Sequence, residues 1–317
     1  MSPGSKNKSA ESERERISHR KQALRLRALM VQAIRDFFMR QGYLEVETPI
    51  LIPAPAPELH IDAIPAKGGY LQTSPELCMK RLLAAGYERI FQMCRCFRQG
   101  ERGDLHLPEF TILEWYCSHA GYRDIMFECE AMIQAVAKHL GLPEKIQYQG
   151  RAIDLGGPWE RVTVHEAFER YGTLSLEKSI KKGRFDVAMV EEIEPHLGSP
   201  EPTFLCDYPA SMAALARLKP DNARVAERFE LYMGGVELAN AFTELTDPAE
   251  QRARFQEEKK RRGEQGREAY PFPEKFLEAL ALMPEAAGIA LGIDRLAMIL
   301  SDSATIDKVV AFTPEEL

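Results

Sequence analysis

FQMCRCFRQGERGDLHLPEFTILEWY, residues 91–116, decides how this chain folds. Side chains alternate across a strand, so Phe110, Ile112, Glu114 and Tyr116 share one face while Leu113 and Trp115 point to the other. Upstream, over 89–98, Phe91, Met93 and Phe97 alternate with Ile90, Cys94 and Cys96, so both faces are apolar and Arg98 emerges at the strand end. A long loop, residues 99–108, joins the two strands. Further along, Asn240, Phe242 and Glu244 again share a face, whereas Glu237 has the opposite parity and needs either a bulge or a different role. The fold expected is α+β, a mostly antiparallel sheet flanked by helices.

Working outward, Leu24, Ala28, Val31, Ile34 and Phe38 recur at three- and four-residue steps and predict an amphipathic helix over 22–41, stopped by Gly42. Residues 43–48 read as a strand ending at Pro49. Ser74 and Pro75 suit the N-cap and first position of a helix running to Ala85, with Gly86 at its end. Asp247, Pro248 and Glu250 open another helix in the same way, and its charge run over 257–262 reads as a solvated face. Residues 1–21 are a polar stretch with almost nothing to bury, expected to be a disordered tail. We read 22–317 as one catalytic domain.

The chain has 317 residues, 45% of them hydrophobic, enough for a large core. Its formal net charge of -7 disfavours extensive contact with a phosphate backbone. Six cysteines show no CxxC pair and no histidine at zinc spacing, which fits reduced core residues. No apolar run reaches the roughly 18 residues of a membrane span, and no signal peptide is recognisable. A cytoplasmic protein without membrane attachment is expected.

Residues 42–49 (GYLEVETP), 91–116 and 288–296 (GIALGIDRL) resemble, in order, the three signatures of the class II aminoacyl-tRNA synthetases. Residues 73–83 (TSPELCMKRLL), 207–216 (DYPASMAALA) and 227–247 (ERFELYMGGVELANAFTELTD) resemble the catalytic core of the lysyl-tRNA synthetases. Those synthetases carry an anticodon-binding barrel before the first signature, where this sequence has a short polar stretch. The combination resembles their stand-alone paralogues, the elongation factor P lysine ligases.

The resemblance implies ATP and Mg²⁺, an aminoacyl-adenylate, and the helix and strand of 22–49 as a homodimer interface. Arginine forks and Mg²⁺ neutralise charge on the phosphates as pyrophosphate leaves. By resemblance Arg98 contacts the α-phosphate, Arg295 the γ-phosphate, Phe110 stacks on adenine, and Glu230 and Glu237 hold Mg²⁺. Gln99, Gly100, Glu101, His106, Leu238 and Gly292 complete the ATP site. Glu76 and Glu114 are assigned to the α-amino end of the amino acid, and Ser74 and Pro75 to the substrate-binding set. Tyr116, Asn240 and Glu244 take its far ammonium, and Ala290 shapes the pocket. A buried ammonium without a partner costs several kcal/mol, so paired carboxylates suit lysine or β-lysine.

Three positions depart from the synthetase pattern. Gly100 stands where Glu is usual, with Glu101 one place late; Leu107 replaces Asn in the HxPEF frame; and Ala290 stands where lysyl-tRNA synthetases carry Gly, as in the ligase paralogues. The first reading is therefore transfer of lysine or (R)-β-lysine to a lysine of elongation factor P, with tRNA disfavoured. A truncated synthetase core charging tRNA is the second. A catalytically weakened pseudo-synthetase acting as a binding module, motivated by Gly100 and Leu107, is the third. Only about a thousandth of an unperturbed lysine amine is neutral at pH 7, and no residue is assigned to take its proton.

Overall fold

In the computed structural model the described residues are 13–317. Nine strands form one sheet, in the spatial order Leu44–Glu45, Arg89–Phe97, Glu109–Ser118, Ala286–Gly292, Val236–Thr243, Asn222–Met233, Thr203–Pro209 and Glu160–Thr163, with Leu218–Lys219 hydrogen-bonded to Asn222–Met233 off this path. The central pairings are antiparallel. The outer pairings, Leu44–Glu45 with Arg89–Phe97 and Thr203–Pro209 with Glu160–Thr163, are parallel. The expected α+β architecture is present.

One face of the sheet is apolar and packed. Leu113 and Trp115, with Leu231, Ala241 and Ile289 from neighbouring strands, meet the helices Lys21–Arg40, Tyr122–His139 and Ile293–Leu300. Phe38 anchors this layer, its ring 5.0 Å from both Phe91 and Trp115. A fully buried phenylalanine of this kind contributes about 3–5 kcal/mol against alanine. The buried stripe of Lys21–Arg40 is Met30, Ala33, Ile34 and Phe38, rotated from the expected one: Ala28 is exposed and Leu24 only half-buried. The helix ends at the expected place, with Gly42 at φ 78°, where a side chain would be strained.

The other face of the sheet carries the polar side chains. Its central strand alternates Gly288, Ala290 and Gly292 on this side with Ala287, Ile289 and Leu291 in the core, so small residues leave space above it. Glu237 reaches the same side because the pairing slips between Leu231/Ala239 and Tyr232/Glu237, leaving Leu238 as the extra residue of a bulge. The expected parity conflict is resolved in this way.

Two expectations need correction. Glu13–His19 is helical, and Arg20 is buried in a two-pronged pair with Glu316, 2.7 Å at each oxygen, so the ordered unit begins before residue 22. The rest of the expected disordered tail, 1–12, lies outside the described residues. Within Pro248–Glu264 the charge run is not all solvated: Arg262 is fully buried and donates to Glu58 O at 2.7 Å, Ile61 O at 2.9 Å and Asp62 Oδ1 at 2.7 Å. Backbone carbonyls with no strand partner recruit the guanidinium. Among the described residues no helix is long and apolar enough to cross a membrane.

Candidate active site

A cleft of about 620 Å³ opens above the polar face of the sheet. It brings together Ser74, Glu76, Arg98, Glu101, His106, Phe110, Glu114, Tyr116, Glu230, Glu237, Leu238, Asn240, Ala290, Gly292 and Arg295 from four strands, two helices and the loops beside them. Four residues named from the sequence do not line it. Gln99 turns its N–H to Asp62 O at 2.7 Å, Gly100 forms an open turn at φ 79°, and Pro75 sits inside the helix start. Glu244 is fully buried on the same side of the sheet, its Oε1 filling the space that a side chain at Gly288 would need.

One end of the cleft is rich in arginine. Arg98 leaves the Arg89–Phe97 strand with its guanidinium 5.0 Å from the Phe110 ring, and its buried Nε has no acceptor. The nearest carboxylate oxygen is that of Glu101, at 3.8 Å, so the late glutamate does reach the arginine. Arg295 is already engaged: it donates to Glu237 O at 2.8 Å, to Leu105 O at 3.3 Å and to His106 Nε2 at 2.7 Å. Burial and the adjacent Arg295 lower the His106 pKa, which keeps the imidazole neutral and able to accept that bond. The neighbouring Asp294 does not pair with Arg295; Arg27 and the Thr111 N–H occupy its oxygens at 2.7 Å each.

Glu230 and Glu237 face the same region. Arg228 Nη2 donates to Glu230 Oε1 at 2.6 Å, and the hydroxyls of Tyr208 and Tyr232 donate to Oε2 at 2.6 and 2.7 Å. Burial and then Glu230 raise the Glu237 pKa, a repulsion that a bound cation would relieve. No cluster of three or more metal-binding side chains occurs among the described residues, so Glu230 and Glu237 by themselves would leave most of a Mg²⁺ shell to oxygens from outside the protein. Arg228 was not singled out in the sequence, although it shares strand parity with Glu230. Its Nε donates to Asn240 Oδ1 at 3.0 Å, which ties Asn240 to the metal end.

The opposite end is acidic. Fully buried Glu114 accepts from Ser74 Oγ at 2.7 Å and from the Tyr116 hydroxyl at 2.8 Å. Ser74 Oγ also accepts from Glu76 N–H at 3.0 Å, so it caps the Glu76–Ala84 helix while positioning Glu114. Lys80, one turn after Glu76, is buried; it pairs with Glu76 at 2.6 Å and with Glu244, and sits 5.0 Å from the Phe242 ring. Beyond Lys80, neither oxygen of Glu244 has a hydrogen-bond donor. The Glu76/Lys80 spacing is a legible i,i+4 pair; the link to Glu244 is not. Ala290 is in register with Glu114 on one side and Asn240 on the other, so its methyl stands between them.

This end has a pH signature. Burial, then Glu76, pushes Glu114 up to about 8; burial also raises Glu244 to about 8 against the pull of Lys80. For Lys80, burial lowers the pKa but Glu244 and Glu76 outweigh it, so the ammonium is held. Glu114, which has no cation paired to it, is therefore mostly protonated at pH 7 in the empty cleft, whereas the buried Lys80 ammonium holds Glu244 as its counter-ion. A ligand ammonium beside Glu114 would ionise it, and binding should release up to one proton at pH 7. Because release favours the bound state as pH rises, affinity for lysine or β-lysine should strengthen from pH 6 to about 8 and then level off. Calorimetry at pH 7 in buffers of different ionisation enthalpy measures the protons released, and a buffer-independent heat would contradict the charge reading.

Residues 12–316 match the family model of tRNA synthetases class II (D, K and N). The chain is 41% identical to an elongation factor P--(R)-beta-lysine ligase of Vibrio cholerae, covering 91% of this chain and 94% of the relative. It is 38% identical to the protein of the same name from Salmonella dublin, over 90% of this chain and 93% of that one. A lysine--tRNA ligase of Magnetococcus marinus is 36% identical over 92% of this chain, which spans 64% of that relative's length.

Proposed function

Because this chain belongs to the class II tRNA synthetase family of the D, K and N branch, we propose that it is an ATP-dependent ligase that activates a diamino acid and joins it to a protein amine. One observation carries the reading: a single cleft has Arg98 and Arg295 at one end and Glu76 and Glu114 at the other, with the buried pair of Glu244 and Lys80 joined to that acidic end through Glu76. Such a cleft holds a triphosphate against a carboxylate whose own amines are matched by acids. Glu230 and Glu237 would hold Mg²⁺, which neutralises phosphate charge when bound. Arg98 has donors to spare for the α-phosphate, and Arg295 orients at the far phosphate while His106 fixes its guanidinium. Glu114 and Ser74 orient the amino acid's near ammonium. The carboxylate is thereby aimed at phosphorus.

Elongation factor P as acceptor, and (R)-β-lysine as the amino acid, are supported by the names of the relatives that this chain nearly matches in length. Ala290 is where the amino-acid choice is expected to reside, since its methyl separates Glu114 from Asn240. The test incubates elongation factor P or bulk tRNA with ATP and each amino acid, and weighs the protein product. A mass gain of one β-lysyl group on elongation factor P is expected; efficient charging of tRNA instead would favour the synthetase reading. Ala290→Gly should shift the ratio of activation rates toward α-lysine, by an amount equivalent to about 1–3 kcal/mol. An unchanged ratio would mean that Ala290 only packs.

A homodimer through the 22–49 region completes the proposal. Leu29, Met39 and Leu44 are 47%, 64% and 52% exposed there, more apolar surface than a single chain needs to show. Light scattering at micromolar concentration should give twice the 35.9 kDa chain mass. A species of single-chain mass would remove this part.

A further inference from the structure

Behind the acidic end of the cleft lies a second, smaller cavity of about 250 Å³. The two share three lining residues, Glu58, Ser74 and Glu76. Its walls include Ile52, Pro53, Ala54, Leu77 and Phe272, a surface suited to an aliphatic chain. Arg81, Glu274 and Lys275 also line it and are exposed. Its lining is therefore an apolar stretch with charged side chains at its exposed residues and where it meets the cleft.

Glu58 is fixed by its backbone and free at its carboxylate. Arg262 holds its carbonyl at 2.7 Å, and the next N–H, of Leu59, donates to Glu258 Oε2 at 3.0 Å. Its half-buried side chain enters no hydrogen bond or ion pair among the described residues. Within the site already described it has no assigned work. We propose that the second cavity admits the aliphatic amine of the acceptor, and that Glu58 is the catalytic residue that takes a proton from that ammonium before nitrogen attacks the activated carbonyl.

The reading rests on the adenylate chemistry proposed above. Glu58 first takes one proton from the ammonium. The nitrogen lone pair then forms the C–N bond, the bond from the carbonyl carbon to the phosphate oxygen breaks, and AMP leaves with that electron pair. The second nitrogen proton goes to the departing phosphate or to water, giving a neutral amide. The charged groups acting on Glu58 are Glu76 and Glu258, which hold its proton, and Arg98 and Arg228, which oppose them. Burial is the largest influence, and together they raise the carboxyl to about 7, near the value at which a base is most effective at neutral pH. Adenylate formation needs no such base.

The test compares pyrophosphate exchange with single-turnover transfer of β-lysine to elongation factor P. In Glu58→Gln the ratio of transfer to exchange should fall at least tenfold, and the rise of the transfer rate through pH 7 should disappear. Hydroxylamine, whose nitrogen is unprotonated at neutral pH, should capture the activated amino acid as fast in Glu58→Gln as in wild type, which a merely disrupted fold would not allow. Ala54→Trp, which fills the second cavity, should raise the KM for elongation factor P at least fivefold relative to exchange. An unchanged ratio in Glu58→Gln overturns the base, and an unchanged KM in Ala54→Trp overturns the route. Wild type that exchanges no pyrophosphate overturns the adenylate reading itself, and this inference with it.

Discussion

Replacing Arg98 with alanine is expected to slow adenylate formation by about a hundredfold or more, because the lost donors act on charge that grows as the phosphorus is attacked. The structure distinguishes this arginine from Arg295. Arg295 spends its donors on Leu105 O, Glu237 and His106, so its role is partly to hold the cleft together. Arg98 has a buried Nε without an acceptor and only a 3.8 Å approach from Glu101. A buried donor left unsatisfied costs about 1–3 kcal/mol in the empty site, and an anion recovers it. Arg98→Lys should regain part of the rate, since charge remains but the planar fork does not. Pyrophosphate exchange with saturating lysine or β-lysine measures all three proteins. If Arg98→Ala stayed within threefold of wild type, the phosphate end would be misassigned.

Much of this site is legible in the sequence because strand chemistry is periodic. Glu114 and Tyr116 face the cleft, and Leu113 and Trp115 the core, as the alternation requires. The parity conflict at Glu237 is legible as either a bulge or a different role, and the slipped pairing with Leu238 as the extra residue decides for the bulge. What is illegible involves distant partners. Arg27 meets Asp294 across 267 positions of sequence, and nothing local marks either. Arg262 looks like its solvated neighbours in a charge run, and only the carbonyls of residues 58 and 61 reveal it as a buried clamp. Glu58 escapes notice for the same reason, sitting in a loop whose shape depends on that clamp. Gly100 and Leu107, the departures that suggested a weakened enzyme, have different settings: Gly100 is in open space, and Leu107 is buried in the main core. Neither removes a charged group from the cleft.

Lys80 is the buried cation on which the acidic end depends, and Lys80→Met should cost about 3–5 kcal/mol of stability, the usual penalty for removing one partner of a buried ion pair. Methionine keeps most of the volume, so the loss isolates the charge rather than a cavity. Without the ammonium, Glu244 has neither an ion pair nor a donor, and its carboxyl, already raised to about 8, rises further. The sign of the pH effect follows. A carboxyl whose folded pKa lies above its unfolded value favours the folded state while protonated, and that advantage fades as pH climbs toward the folded pKa. The deficit of Lys80→Met relative to wild type should therefore widen from pH 5 to pH 9, because wild type can ionise Glu244 against Lys80 and the variant cannot. Adding Glu244→Gln should return at least half of the lost stability at pH 8, since the second change removes the stranded carboxyl. Yet the double variant should still bind lysine poorly, with one acid fewer to match two ammonium groups. Urea unfolding of the three proteins at several pH values checks the first claim, and calorimetric titration the second. A deficit that stays flat with pH would show that Lys80 acts by packing against Phe242 and not as the counter-ion of Glu76 and Glu244.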